Sequence, residues 1–200
     1  MMVNDGTIRV GSLVDYQNAE KHSGGVLDEA EGTRTTVVQA GAHEVWTNEN
    51  MPEPVKAILG EIPANQAWHV HGSTFSAVYV ANAFVYCLSM KYDEALLDES
   101  QFDADAIVEI IDTAGFFAAV DVVMAEYGCR FFNAVECKYV GRVAPDGDRR
   151  TLYHAVEVKE ERYSKQAECR LVWRARDDTV DKPAIMVTHR SIASACRRIY

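Results

Sequence analysis

The sequence predicts an α+β fold: a mainly antiparallel, split β-sheet with a few short helices. Three observations lead there. Short apolar runs of strand length outnumber helical patterns. These runs follow one another mostly without the helical crossovers that parallel pairing requires. The clearest helical spacing of apolar residues is confined to one stretch, residues 115–127.

Taken in order, residues 7–13 read as a strand and 14–21 as one or two helical turns. Residues 22–36 form a glycine- and acid-rich loop, and the segment 28–32 within it is expected to be mobile. Strands at 35–39 and 44–47 flank Gly41, a turn covers 48–54 and a short helix 55–62. Residues 68–79 look extended, and 83–89, short, aromatic and apolar, look like a buried strand. Another strand is expected at 105–111. In the helix at 115–127, Phe116, Phe117, Val120, Val123, Met124 and Tyr127 share the spacing, and Gly128 suits its end. Residues 131–140 and 151–158 are expected to pair as a hairpin turning at Pro145-Asp146-Gly147. Residues 168–174 alternate: Glu168, Arg170, Val172 and Arg174 take one face, Cys169, Leu171 and Trp173 the other. A last strand at 184–188 precedes a polar, basic tail over 190–200. No repeat or linker interrupts the chain, so residues 1–200 read as one domain.

The chain has 200 residues, 48% hydrophobic and 25% charged, which is enough apolar mass for a core and excludes global disorder. Its net charge is −10, from 20 basic and 30 acidic residues. That balance disfavours a broad grip on a nucleic-acid backbone or an anionic membrane, and leaves room only for a local basic groove. No apolar run approaches the roughly 18 residues of a membrane span, and residues 1–11 lack a signal peptide's apolar stretch. Cys87, Cys129, Cys137, Cys169 and Cys196 are odd in number and have no C-x-x-C spacing, so they read as reduced cysteines. A cytoplasmic protein without membrane partners is expected.

His69 and His71 would point to one strand face, either as part of a metal site with His43 and Glu44 nearby or as two ordinary histidines; no metal is expected. Gly24, Gly25 and Gly32 do not form a phosphate-binding pattern, since no lysine follows and no strand precedes them. Arg190, Arg197 and Arg198 are read as a solvated end, with nucleic-acid contact as the alternative. Lys159, Tyr163, Gln166, Glu168 and Arg170 stand out. Glu168 and Arg170 are either a surface ion pair or catalytic side chains at a loop-to-strand junction, where rigid strands hold reactive groups well.

The opening IRVGSLVDYQNAE, the acidic loop ending Glu31-Gly32, the strand ending Cys87-Leu88-Ser89 and the late Lys159, Tyr163, Glu168-x-Arg170 segment resemble a bacterial family known only as a domain of unknown function. The likeness covers about a third of the chain and leaves residues 37–76 unmatched. That family is in turn similar to the ADP-ribosyltransferase fold. Its pattern of an Arg on the first strand, a Ser on a middle strand and a Glu opening a late strand corresponds to Arg9, Ser89 and Glu168. Gln166-Ala167-Glu168 fits the Gln-x-Glu form, whereas Leu88-Ser89-Met90 departs from the usual Ser-Thr-Ser.

The resemblance implies an NAD-consuming transferase that moves ADP-ribose to a protein, a nucleic acid or water, in a toxin or phage-defence setting. Cleaving the nicotinamide–ribose bond builds positive charge on the ribose, which a fixed carboxylate stabilises. Glu168, with Gln166, would take that role; Arg9 would clamp the pyrophosphate; Ser89 would orient Glu168 or the ribose. Tyr16, Tyr86 and Tyr92 are candidate neighbours for the nicotinamide ring, and Tyr163 and Gln166 would position the acceptor. Two alternatives stand beside it: a non-catalytic nucleotide- or protein-binding module on the same fold, and a small metal-dependent enzyme using His69 and His71.

Overall fold

A computed structural model describes residues 2–17, 28–81, 83–94, 106–176 and 184–199. The fold is α+β, with mostly antiparallel sheets and short helices. In chain order the elements are α1 (Met2–Asp5), β1 (Thr7–Ser12), α2 (Leu13–Tyr16), β2 (Thr33–Gln39), β3 (Glu44–Trp46), α3 (Glu53–Leu59), β4 (Trp68–Val70), β5 (Thr74–Val80) and β6 (Phe84–Ser89). Then come β7 (Val108–Ile110), α4 (Thr113–Glu126), β8 (Cys129–Glu136), β9 (Lys138–Tyr139), β10 (Val143–Pro145), β11 (Val158–Lys159), β12 (Glu168–Ala175), β13 (Ala184–Thr188), α5 (Arg190–Ser194) and β14 (Cys196–Arg198).

The central sheet has five strands in the order β13-β1-β6-β12-β8, every neighbour antiparallel. Its two faces differ because β12 alternates. Leu171 and Trp173 point to the side of α4 and α5 and join Phe116, Val120, Met124, Val187 and Ile192 in the largest core. The helix follows its apolar spacing: Asp112 caps it by accepting from the Gly115 N–H at 2.9 Å, and Phe116, Ala119, Val120 and Met124 are its buried stripe. Trp173 sits among Phe117 and Phe131 and donates its indole N–H to Asp121 at 2.9 Å. On the opposite face Val172, Val85, Val135, Leu13 and Val156 form a second core.

Between β1 and β6 the chain leaves this sheet. β2 pairs with β5 and with β10, the latter in parallel, and β3 pairs with β4. Val38, Trp46, Met51, Val55, Ile62 and Val70 give this excursion its own core, so the segment that resembles nothing familiar is a packed lobe. Its length does not disturb β1 and β6, which meet side by side.

Three expectations are corrected. Residues 131–140 and 151–158 do not form a hairpin: β8 pairs with β12, β10 pairs with β2, and 151–158 consist largely of 3-10 turns, Arg149–Leu152 and Ala155–Glu157. The C-terminal stretch is not a loose tail, because Ile192 is fully buried and β14 pairs with β7. Residues 68–79 are two strands, interrupted where Gly72 takes a positive φ of 56°. All five cysteines are free, and among the described residues no helix is long and apolar enough to cross a membrane.

Trp173 is the largest fully buried side chain. Trp173→Ala is expected to cost about 3–5 kcal/mol, read as a lower urea midpoint. A loss below about 1 kcal/mol would contradict a close-packed helix face.

Candidate functional site: a buried charge network at the head of β12

Register brings the resemblance residues to one face. Glu168 lies opposite Ser89, and Arg170 opposite Cys87. On the other side of β6, Gly11 lies opposite Val85. Continuing that antiparallel register sets Arg9 beside Cys87. Because alternate residues share a face, Arg9, Cys87, Ser89, Glu168 and Arg170 all belong to one side of three adjacent strands. Arg9 is thus level with Arg170, two strands or about 10 Å away, and Glu168 is two residues further along β12, roughly 12 Å from Arg9 backbone to backbone.

Glu168 is the centre of a closed network. Arg170 Nε donates to Glu168 Oε1 at 2.5 Å, and Lys159 donates to Oε2. The other end of the Arg170 guanidinium grips Glu31 through two bonds, at 2.8 and 2.9 Å, and also reaches the Val156 carbonyl at 2.8 Å. Lys159 donates further to Gln166 Oε1 at 2.7 Å. Two carboxylates thus face two cations, and all of these residues are buried; Glu168 is 3% exposed and Arg170 1%. Burial by itself raises the Glu168 carboxyl, but Arg170 and Lys159 outweigh it and hold it at about 2. Burial opposes the charge on Lys159 as well, and Glu168 and Glu31 overcome it, so its pKa is raised. The neighbouring Cys87 and Cys137 thiols go the other way: burial pushes Cys87 well up and Cys137 to about 12, so neither is a thiolate at neutral pH.

Local backbone explains how these groups converge. A 3-10 turn, Glu161–Gln166, ends at Ala167, which adopts a left-handed φ of 44° just before β12 begins. Gln166 and Glu168, on either side of that corner, both turn inward. The Ser89 hydroxyl, with one hydrogen to give, lies 2.9 Å from the carbonyls of Gln166 and of Lys91, so Ser89 braces the corner rather than the carboxylate. The Glu168 N–H donates to the Tyr139 hydroxyl at 2.6 Å.

The acidic stretch expected to be mobile is pinned. Asp28 and Glu31 are buried; Glu31 is held by Arg170, and Asp28 accepts from Arg142 at 2.5 Å. Gly32 follows with a φ of 68°, and a Cβ there would meet Leu13 Cδ1 at 3.0 Å. Gly24 and Gly25 lie outside the described residues. Arg142 and Tyr139 were missed in the sequence reading, because neither stands in a motif and their partners are remote.

Arg9 pairs with Asp15 of α2 and stands 5.9 Å from the Tyr16 ring. The Tyr16 ring packs against Gly11: a Cβ at Gly11 would come 2.8 Å from it. Burial first, then Cys87 and Glu168, raise the Tyr16 hydroxyl against the opposing effect of Arg9 and Arg170. Of the three candidate tyrosines, Tyr16 is on the Glu168 face. Tyr86 points to the helix side, 5.5 Å from Phe116, and Tyr92 is exposed with its hydroxyl on Glu94. Tyr163 is buried with Lys159 Nζ 5.0 Å over its ring. His69 is exposed on β4 and His71 follows the strand; His71 Nδ1 meets His43 Nδ1 at 2.9 Å, while Glu44 is engaged by Gly41 and Trp46. Among the described residues no group of three or more His, Cys, Asp or Glu could hold a metal ion.

Removing one member leaves a buried charge unmatched. Arg170→Met is expected to destabilise by about 3–5 kcal/mol, and Gly11→Ala by about 1–3 kcal/mol through the Tyr16 ring, both measured by denaturant unfolding. The pH dependence has a sign. Glu168 is depressed in the folded state, so its contribution is full above its unfolded value, about 4.3, and is lost as pH falls through about 2. Asp28 is shifted up, by burial first and then Glu31, and its earlier protonation in the folded state partly offsets that loss. Stability should therefore decline from about pH 4.5 downward, and in Glu168→Gln this acid limb should flatten; an unchanged limb would contradict the pairing. Comparison of the chain with protein-family models, with curated proteins and with solved structures finds no match in any of the three.

Proposed function

We propose that the protein binds NAD and cleaves its nicotinamide–ribose bond, passing ADP-ribose to a macromolecule or to water. The single observation that carries this reading is that Arg9, Ser89 and Glu168 lie on one face of three neighbouring strands, β1, β6 and β12. In this reading Glu168 supplies a carboxylate that is ionised throughout the physiological range, as stabilising an oxocarbenium-like ribose requires. Arg9, with its side chain 37% exposed, is the cation best placed to meet a pyrophosphate, and it would exchange Asp15 for phosphate oxygens. Tyr16 offers the ring beside it. Lys159 must swing off Oε2 for the ribose to reach Glu168, and Gln166 would then keep the lysine paired.

One observation favours a second reading, a binding module in which Glu168 is architectural. Both oxygens of Glu168 are already taken by cations, and the side chain is buried. Each reading makes a different forecast. With NAD and purified protein, the enzyme reading expects nicotinamide release, reduced by about 10²–10³ in Glu168→Gln while calorimetry still detects NAD binding. Arg9→Gln should weaken that binding. No release and no NAD binding by the wild type would overturn the enzyme reading and favour the architectural one. A cooperative thermal transition in each variant separates lost chemistry from lost fold.

A further inference from the structure

At the far end of the Glu168 face lies a cavity of about 260 Å³, whose walls include Val80, Val156 and Val172 together with Phe132, His154 and Arg174. Six residues along β12 separate Arg174 from Glu168, about 20 Å at strand rise, so this is a different place from the charge network.

A fault in the sheet aims one wall. Val172 pairs with Asn133 and Trp173 with Phe131, which leaves Phe132 as the extra residue of a β-bulge in β8. Bulges redirect a side chain, and Phe132 lies under the Arg174 guanidinium, 3.7 Å from ring centroid to Cζ. The hydrogen bonds around Arg174 are incomplete. His154 Nδ1 accepts the Val156 N–H at 3.3 Å, and His154 Nε2 stands 3.2 Å from Arg174 Nη2. Burial first, and then the Arg174 charge, lower the His154 pKa, so the ring is neutral at neutral pH and has one acceptor nitrogen. In the tautomer with Nδ1 accepting from the backbone, Nε2–H and Nη2–H are two donors 3.2 Å apart that a single acceptor would satisfy together.

The surroundings are positive in an acidic chain. Arg34 is near enough to bias His154, and its Nε and Nη1 are buried without hydrogen-bond partners; Glu157 is the opposing charge that reaches the ring. Arg130 and Arg176 border an adjoining cavity that shares Phe132 and Arg174. Among the described residues Arg34, Arg130, Arg174 and Arg176 enter no salt bridge.

We propose that this cavity binds a small organic anion, with its carboxylate or phosphate accepting from Arg174 and His154 and its apolar or aromatic body against Phe132 and the valines. One oxyanion satisfies both facing donors at once. The aromatic wall and the valines favour a ligand with a body over a bare inorganic ion. The site is independent of the NAD reading.

Phenyl phosphate, benzoate and inorganic phosphate, titrated separately by calorimetry at fixed ionic strength, test it. Phenyl phosphate or benzoate should bind saturably at one per chain, at least tenfold tighter than inorganic phosphate, and the tighter of the two identifies the head group. Arg174→Gln should weaken binding tenfold or more, whereas Arg197→Gln, on the remote β14, should leave it unchanged. In the wild type the His154 imidazole NMR signals should move with saturation, a readout that needs no variant. Absence of saturable binding by either organic anion, equal binding by Arg174→Gln, or an unmoved His154 signal would overturn the proposal.

Discussion

The interior of this protein depends on a requirement of electrical neutrality. Glu168 and Arg170 sit two residues apart on one face of a central strand, so folding β12 into the sheet buries both charges. Taking such ions out of water is costly by several kcal/mol each, and the rest of the site is arranged to offset it. Arg170 has more donors than Glu168 can use, so the chain brings Glu31 across 139 residues to take the remaining pair. Glu168 has two oxygens, so Lys159 comes from β11 to take the second. Each element that supplies a partner is thereby positioned: the 28–32 segment, β11 and the Gln166 corner. Fold and candidate chemistry share the same bonds.

The two faces of the central sheet consequently do different work. The helix side is apolar and aromatic, packed around Trp173 and Phe116. The other side grades along β12 from charges at Glu168, through valines at mid-strand, to the Arg174–Phe132 stack. Arg9 and Tyr16 approach the charged end from β1 and α2, and Gly11 lets the tyrosine ring lie directly on the sheet. At that end Arg9 is more exposed than Lys159 or Arg170. Glu168, in contrast, is reached only by rearranging its partners.

What could be read in the sequence was local or one-sided. The alternation in β12 was legible because one face is wholly apolar: it put Leu171 and Trp173 together on one face, which the structure packs against α4 and α5. The α4 stripe was legible from spacing at Phe116, Val120 and Met124 and its end from Gly128, whereas Tyr127, also placed on the stripe, is exposed at the end of the helix. The hairpin over 131–158 was not, since strand pairing is decided by a remote partner: β8 prefers β12, which lies beyond three turns. The C-terminal residues were misread because Arg190, Arg197 and Arg198 dominate the composition and hide Ile192 and Ala195 at buried positions. At the site, Glu168 and Arg170 were legible as a pair, and Lys159 as a neighbour in sequence. Their burial was not, because it depends on Glu31 and on Arg142 holding Asp28, contacts that no local pattern announces. The Phe132 bulge was equally hidden, since one extra residue in a strand leaves no mark on its composition.

The most direct measurement is to titrate isotopically labelled protein with NAD and follow backbone and arginine side-chain NMR signals at neutral pH. Saturable shifts are expected at Arg9 and Tyr16, extending to Ser89 and Glu168, with the Arg9 guanidinium signal moving most. Shifts confined to His154 and Arg174, or no shift at millimolar NAD, would contradict the proposal that the Arg9–Ser89–Glu168 face binds NAD.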